Sequence, residues 1–364
     1  MFSKFSVFKI VTAIIFGVTS YANAGIISGN FTPLITAGMP PDSPGAHVDP
    51  NLESSPFSGV VSINIVTAAG SYICSGSLVT KRAVISAGHC VDSDGNGHLI
   101  DIYAPGNSVR VIFNNDGDYN APGNYSSHVI NAASIAMNPD YQGFGHCPAA
   151  VTDPTAFCLN DDLSVIMLSQ DAPASAKIYK VNAAVSVPGQ HIVMAGYGTS
   201  GNGLQGYNVN PSFSVKRKGE NYMDLFDLND EQNFAAGGPE VWYADFDGNG
   251  QDTFCNFFSV CTPQLSNDRE SGIGGGDSGG ASFIVDNTGQ YILTANNTFS
   301  GIFYGQTPGT FGTYFGGISL APYIDWIESV TGGQIEIVSV PEPASLAMLA
   351  LGLGIMMARR RKTT

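Results

Sequence analysis

The chain has 364 residues, 43% of them hydrophobic, with 44 glycines, 20 prolines and a formal net charge of −15. That much apolar material fills a sizeable core, and the frequency of turn formers fits many short strands rather than long helices. The acid excess repels nucleic acid and anionic lipid, so neither is an expected partner.

The first 24 residues carry Lys4 and Lys9, an apolar stretch over 10–18 and then Ala22-Asn23-Ala24. This is the order of a signal peptide with a small-x-small cleavage site, so processing by signal peptidase and export are expected, with a buried N-terminal strand as the structural alternative. Residues 25–47, with Pro40-Pro41-Asp42-Ser43-Pro44-Gly45, read as an extension or pro-segment. Strand-like runs follow at 59–67, 72–79, 83–87, 109–113, 163–168 and 191–195, and again at 240–246, 281–285 and 291–294. Turn residues separate nearly all of them, which predicts an all-β sandwich or barrel. Residues 170–180 are the least strand-like in mid-chain and are expected to link two β halves. One helix is predicted over 321–330, with Pro322 in its first turn and Gly332-Gly333 beyond its end.

Six cysteines in an exported chain imply three disulfides, for which fifteen pairings exist. Their clustering favours Cys74 with Cys90, Cys147 with Cys158 and Cys255 with Cys261. No thiolate or histidine pattern has zinc spacing. Two acidic loops, one with Asp92, Asp94 and Asn96 and one with Asp245, Asp247 and Asn249, alternate oxygen donors around glycines in a manner that suits Ca²⁺. Neither continues to the glutamate of an EF-hand, and solvated acidic turns are the competing reading.

Chemistry is suggested by the run Gly274-Gly275-Gly276-Asp277-Ser278-Gly279-Gly280, which sets one serine in a turn whose amides can approach a developing oxyanion. A serine hydroxyl needs a base within reach and a carboxylate to fix that base. His89, at the end of the apolar run Val84-Ile85-Ser86-Ala87-Gly88, and Asp162, at the head of Leu163-Ser164-Val165-Ile166, fit those roles. Asp161 is a neighbouring rival. The remaining histidines, His47, His98, His128, His146 and His191, read as surface groups.

These motifs resemble those of the trypsin-like, chymotrypsin-fold serine peptidases. Cys74-Ser75-Gly76-Ser77-Leu78 and Ser86-Ala87-Gly88-His89-Cys90 are similar to the family's first cysteine strand and histidine turn. Asp162-Leu163 after Asn138-Pro139-Asp140-Tyr141, Gly196-Tyr197-Gly198-Thr199, and Tyr323-Ile324-Asp325-Trp326-Ile327 resemble three further segments. The resemblance implies two antiparallel six-stranded β-barrels with a C-terminal helix, in a peptidase domain over 48–333. It also implies Ser278 as nucleophile, His89 as general base and Asp162 as its orienting carboxylate, with the Gly276 and Ser278 N–H groups as oxyanion hole. Gly272 would lie at the base of the substrate pocket and Thr298, Phe299 and Ser300 along the substrate strand. Gly272 is not an acid, so a Lys or Arg preference is unsupported, although Glu270 is nearby. Val48 lies at the family's activation distance but follows His47, so pairing of its freed amine with Asp277 is a hypothesis.

The C-terminus, 334–364, holds Pro341-Glu342-Pro343, fifteen uncharged residues over 344–358, and a basic end at 359–362. As a helix the apolar part spans roughly 22 Å, short of a hydrocarbon core of roughly 30 Å. It resembles the PEP-CTERM sorting signal of Gram-negative bacteria, which implies processing by an exosortase and location in the cell envelope or extracellular matrix. A plain anchor is the alternative. Loss of residues 1–24 and of the tail from Pro341 leaves nine basic and twenty-nine acidic residues, a balance of −20. The expected function is an exported serine endopeptidase acting on protein or peptide substrates without an organic cofactor, Ca²⁺ being the one candidate ion. The alternatives are a catalytically silent binding or matrix protein on the same fold and an esterase with the same triad.

Overall fold

The computed structural model describes residues 36–37, 45–115 and 128–340, so the expected signal peptide, most of the 25–47 extension and the tail beyond 340 lie outside the described residues. A short strand, β1 (Thr36–Ala37), precedes six that form a barrel: β2 (Val60–Thr67), β3 (Gly70–Leu78), β4 (Ala83–Ser86), β5 (Ser108–Ile112), β6 (Val129–Met137) and β7 (Ser164–Leu168). They close in the order β2-β3-β4-β7-β6-β5, each neighbouring pair antiparallel. Strand side chains alternate between faces, so Val61, Ile63 and Ile65 fill the barrel with Cys74, Val84 and Val111, while Val60 and Ile73 face the second half.

The second half contains β8 (Val181–Asn182), β9 (Gln190–Gly196), β10 (Ser200–Asn202), β11 (Gly206–Val209), β12 (Arg217–Met223), β13 (Leu225–Leu228) and β14 (Pro239–Asp245). Helix α1 (Thr253–Phe258) is followed by β15 (Ser271–Gly272), β16 (Ala281–Val285), β17 (Tyr291–Asn296), β18 (Phe299–Gly301), β19 (Tyr314–Ile318), α2 (Ile324–Thr331) and β20 (Ile337–Val338). A sheet β12-β9-β16-β17-β8-β20 faces a sheet β13-β14-β19-β18, and a smaller sheet, β11-β10-β1-β15, lies beside them.

The chain is thus mostly β with one closed six-stranded barrel, and the expected second barrel is not closed by strand ladders among the described residues. Side chains take over at its corners. Asn296 Oδ1 accepts the Ile318 N–H at 3.0 Å beside the single bridge Ala295↔Ser319, and Asn221 Nδ2 donates to the carbonyls of Asp245 and Ser271, each at 3.0 Å. Amide side chains that satisfy backbone N–H and C=O groups where strands diverge let two twisted sheets enclose a core without a continuous ladder. That core holds Met194, Trp242, Phe246 and Phe315, and a larger one between the halves holds Tyr179, Phe283 and Ile327.

The 170–180 segment runs as a strandless connection between β7 and β8. The predicted helix appears as a 3-10 turn over Ala321–Tyr323 leading into α2, which stops where Gly332, at φ 65°, turns left-handed and returns its N–H to Glu328 and Ser329. All three disulfides pair as the clustering suggests. His128 departs from its surface assignment: it is 4% exposed, and its carbonyl accepts the Phe113 N–H where β6 enters the barrel wall.

Two stability measurements follow from this packing. The Cys74–Cys90 bridge closes a separation of 16 residues. Replacing both cysteines by alanine should lower unfolding free energy by about 3 kcal/mol in urea titration. Asp227, buried on β13 and accepting the Tyr243 hydroxyl at 2.6 Å, is pushed by burial up to about 6. A folded state that keeps a proton the unfolded chain has lost is weakened as pH rises from about 4 to about 6 and is level above that. The melting temperature of Asp227→Asn minus that of wild type should climb across that window and then plateau, with about 3 kcal/mol as the ceiling.

Candidate active site

β4 and β7 are antiparallel neighbours with Ser86 opposite Ser164, so the segment leaving β4 and the segment entering β7 emerge at one end of the barrel. His89 lies three residues after Ser86 and Asp162 two before Ser164. The Asp162 carboxylate is fully buried and both its oxygens go to His89: Oδ1 accepts the backbone N–H at 2.7 Å and Oδ2 meets Nδ1 at 2.6 Å. Such pairing fixes the ring's position and leaves Nε2 as the free end of the imidazole. Nε2 is buried without a partner. The ring is further held by Phe144, edge-on at 5.4 Å, and by the Cys74–Cys90 bridge next to it. Asp161 does not compete, because its carboxylate lies with those of Asp230, Glu231 and Glu240.

The turn carrying Ser278 is anchored to the first barrel. Ser75 N–H donates to the Ser278 carbonyl at 2.8 Å and Ser75 Oγ to the Gly276 carbonyl at 2.9 Å. Gly279 packs so tightly that a Cβ there would sit 2.2 Å from Ser86 Oγ and 2.7 Å from the Ala87 nitrogen, which seats the turn against the strand that leads to His89. Asp277 stabilises the turn from inside, with Oδ1 accepting from Gly198 at 2.8 Å and Oδ2 from Gly274 at 3.0 Å. Burial drives its carboxyl up to about 7, against the lowering effect of those two N–H groups and of Arg217. Gly276 has a φ of 103°, a conformation L side chains rarely adopt. Neither its N–H nor that of Ser278 has an acceptor among the described residues.

Ser278 itself is 8% exposed, and its Oγ is 3.4 Å from the Thr298 carbonyl, a long contact. No hydrogen bond joins it to His89 among the described residues. In unliganded sites such bonds are often long or absent and tighten with substrate.

The proposed substrate strand is next to this hydroxyl. Thr298 N–H donates to Gly316, Phe299 is buried edge-on to Tyr243 at 5.2 Å, and Ser300 is half-buried opposite Phe315. Gly272 is buried, and a side chain there would point at the rings of Phe246 and Phe315. Glu270, raised to about 8 chiefly by burial, accepts the Leu265 N–H and is acted on by Asp245.

Val48 forms a bridge with Arg217 and donates its N–H to Gly45 at 3.3 Å. In the intact chain, then, Val48 is engaged elsewhere while Asp277 is already held.

The two acidic loops differ. Asp92 accepts the N–H groups of Asp94, Gly95 and Gly97, and Asp94 those of Asn96 and the His98 ring, so this loop spends its oxygens on its own turn. Asp245 and Asp247 do converge, but with Asp252; Asn249 is exposed and bonded to Asn267. Ser75, Phe144 and Asn296 were missed by sequence reasoning. Ser75 had a signal in its position beside the first cysteine, whereas nothing local marks Phe144 or Asn296.

Residues 47–217 match the Trypsin family model and residues 339–362 the PEP-CTERM protein-sorting motif. The chain is 29% identical over 137 residues to the human protein "Putative trypsin-6" and 26% identical over 152 residues to human "Serine protease 1". These alignments cover 36% and 41% of this chain and 42% and 48% of the relatives, so it spans less than half the length of either. His89 and Asp162 lie within the matched segment and Ser278 beyond it. The PEP-CTERM match implies export with a C-terminal sorting signal, and no helix among the described residues is long and apolar enough to cross a membrane. The segment that carries the paired histidine and aspartate thus matches the Trypsin family model, and the same chain carries a match to the PEP-CTERM sorting motif.

Proposed function

We propose that this protein is an exported serine endopeptidase that cleaves peptide bonds through an acyl-enzyme. The observation that carries the reading is a histidine whose Nδ1 and backbone N–H are both held by one buried carboxylate while its Nε2 is unpartnered. Ser278 Oγ attacks the scissile carbonyl and passes its proton to His89 Nε2. The oxyanion so formed accepts from the Gly276 and Ser278 N–H groups, whose lack of an internal acceptor supports that role. Collapse breaks the C–N bond as His89 returns the proton to the leaving amine, and water then releases the acid by the reverse sequence. Side chains and backbone suffice for these steps, so the chemistry needs no cofactor.

The substrate backbone would run along Thr298, Phe299 and Ser300, with one side chain entering toward Gly272. Phe246 and Phe315 around that position favour an apolar group over a cation. Protein substrates follow from the peptidase reading, and the sorting motif brings exosortase as the processing partner. Signal peptidase would remove residues 1–24.

A fluorophosphonate probe should label Ser278 in the folded, secreted protein, with labelling lost in Ser278→Ala and in His89→Ala. Absence of labelling in wild type would favour a binding protein on the same scaffold. Hydrolysis of esters with no cleavage in a peptide library would favour an esterase. On a peptide substrate, Ser278→Ala should cost about a million-fold in kcat and Asp162→Asn about 10⁴-fold. Gly276→Ala puts a Cβ 3.0 Å from the Gly198 Cα at a positive φ. It should lower kcat by roughly 10²-fold or more with little change in KM, read by steady-state kinetics.

A further inference from the structure

Four carboxylates outside the triad, from Asp161, Asp230, Glu231 and Glu240, bring one oxygen each to within 4.8 Å of one another. Asp161, Asp230 and Glu240 are 3%, 2% and 4% exposed, so water does little to separate their charges. The charged groups that act most strongly on them are other carboxylates, with no lysine, arginine or histidine among them. The surrounding polar groups supply few donors. Asn160 and Asn229 give one amide N–H each to the two oxygens of Glu240, at 2.7 and 2.8 Å; the Tyr323 hydroxyl, which accepts the Asp161 N–H at 3.2 Å, is also bonded to the Asp161 and Glu240 carboxylates, and the Asp230 N–H serves its own carboxylate. Oxygens are left over: Asp230 Oδ1, Glu231 Oε1 and Asn160 Oδ1 are buried without any partner. Asn160 is 6% exposed and its Nδ2 is already spent on Glu240 and on the Leu228 carbonyl, so the spare end of that amide sits at the edge of the same cluster.

Buried acceptors in excess, all oxygen and with no thiol or imidazole, fit a hard divalent cation and no soft one. We infer that Asp161, Asp230, Glu231 and Glu240, with the Asn160 carbonyl, form a Ca²⁺ site that ties the segment entering β7 to the β13–β14 connection. Its position gives it a consequence: Asp161 adjoins Asp162, so the ion braces the backbone from which the triad carboxylate reaches His89. In the second acidic cluster, Asp245, Asp247 and Asp252, two members have donors, since Asp245 accepts the Phe254 N–H and Asp252 caps α1 and takes the Gln264 amide, and Asp247 Oδ1 is its one unpartnered buried carboxylate oxygen among the described residues.

The test uses the mature secreted protein, stripped with chelator and titrated with Ca²⁺, and in parallel with Tb³⁺ excited through tyrosine. Ca²⁺ should raise the melting temperature, and Tb³⁺ should give luminescence, sensitised by Tyr323, that Ca²⁺ displaces. Asp230→Asn and the half-buried Glu231→Gln should each weaken binding by about tenfold or more, as loss of one charged ligand does. Both should melt no lower than wild type in chelator, because each removes one repelling charge; that check separates a lost site from a failed fold. Asp247→Asn should keep the response. No shift in melting temperature and no displaceable luminescence in wild type, or a response that survives in Asp230→Asn and vanishes in Asp247→Asn, would overturn the assignment. Because these readouts do not use peptidase activity, they stand or fall independently of the triad.

Discussion

A carboxylate without access to water must find its donors inside the protein, and Asp162 finds them on a single residue. Its bonds to the His89 backbone and ring require the turn after β4 and the lead into β7 to meet within hydrogen-bond distance. Only a barrel in which β4 and β7 are neighbours does that, and they are far apart in sequence, with β5 and β6 inserted between them. Closure of the barrel and assembly of the histidine–aspartate pair are one geometric requirement. The Ser278 turn belongs to the second half, yet its carbonyls are held by Ser75 on β3, so the same barrel fixes both sides of the site. Asn296 closes the circuit: its amide reaches toward the carbonyls of Ser86 and Asp162, at 3.5 and 3.4 Å, while its oxygen organises the β17–β19 corner.

The charge balance reads differently once the interior is seen. An acid excess is ordinarily a surface property that keeps a protein soluble. Here Asp161, Asp224, Asp227, Asp245, Asp247 and Asp277 are each under 9% exposed, so part of the excess lies inside. Cations follow them only in part. Lys216 is fully buried, with its Nζ on the carbonyls of Phe57 and Asn114 and 3.5 Å from Asp49, and burial lowers it to about 8. Where a buried acid has backbone donors, as Asp277 does, the arrangement shapes a turn. Where donors run short, as around Asp230, the oxygens remain available to an ion.

Legibility in the sequence followed the distinction between local and distant causes. Strands rich in β-branched residues and bounded by turn formers, such as β2 and β4, were visible because such short runs mark strands buried on both faces, as β4 is throughout and β2 over its first six residues. The polar run of β12, Arg217–Met223, and the glycine-rich β19, Tyr314–Ile318, were not, since partners distant in sequence hold them in place. The small residues of β6 hid it in the same way. His89, Asp162 and Ser278 were legible because each sits in a motif with a local reason. The Asp161 cluster was not, because its four acids come from two segments that only the fold brings together. A regular ladder was expected around the second barrel, and the sequence's asparagines at 221 and 296 carry no local hint that they stand in for ladder bonds.

The glycine-rich tract before Ser278 is the place where a flexible loop and a formed site would look alike in sequence. Seven residues with five glycines lose much conformational freedom on ordering, so something must hold them. Asp277 does this from within, through the N–H groups of Gly198 and Gly274, with the charge of Arg217 acting on it from the start of β12. Arg217 lies opposite Gly196 in the β9–β12 ladder, and a Cβ at Gly196 would come within 2.3 Å of Asp277 Oδ1, so the cation is carried to the carboxylate's side by strand register. Val48 meanwhile bridges to Arg217, and the adjoining Asp49 is bonded to Ser55, Asn51 and Lys216. Releasing an amine at Val48 to reach Asp277 would have to dismantle that set of contacts. The turn with its two unpartnered N–H groups is built around the buried Asp277 carboxylate, and the backbone donors of Gly198 and Gly274 set its shape.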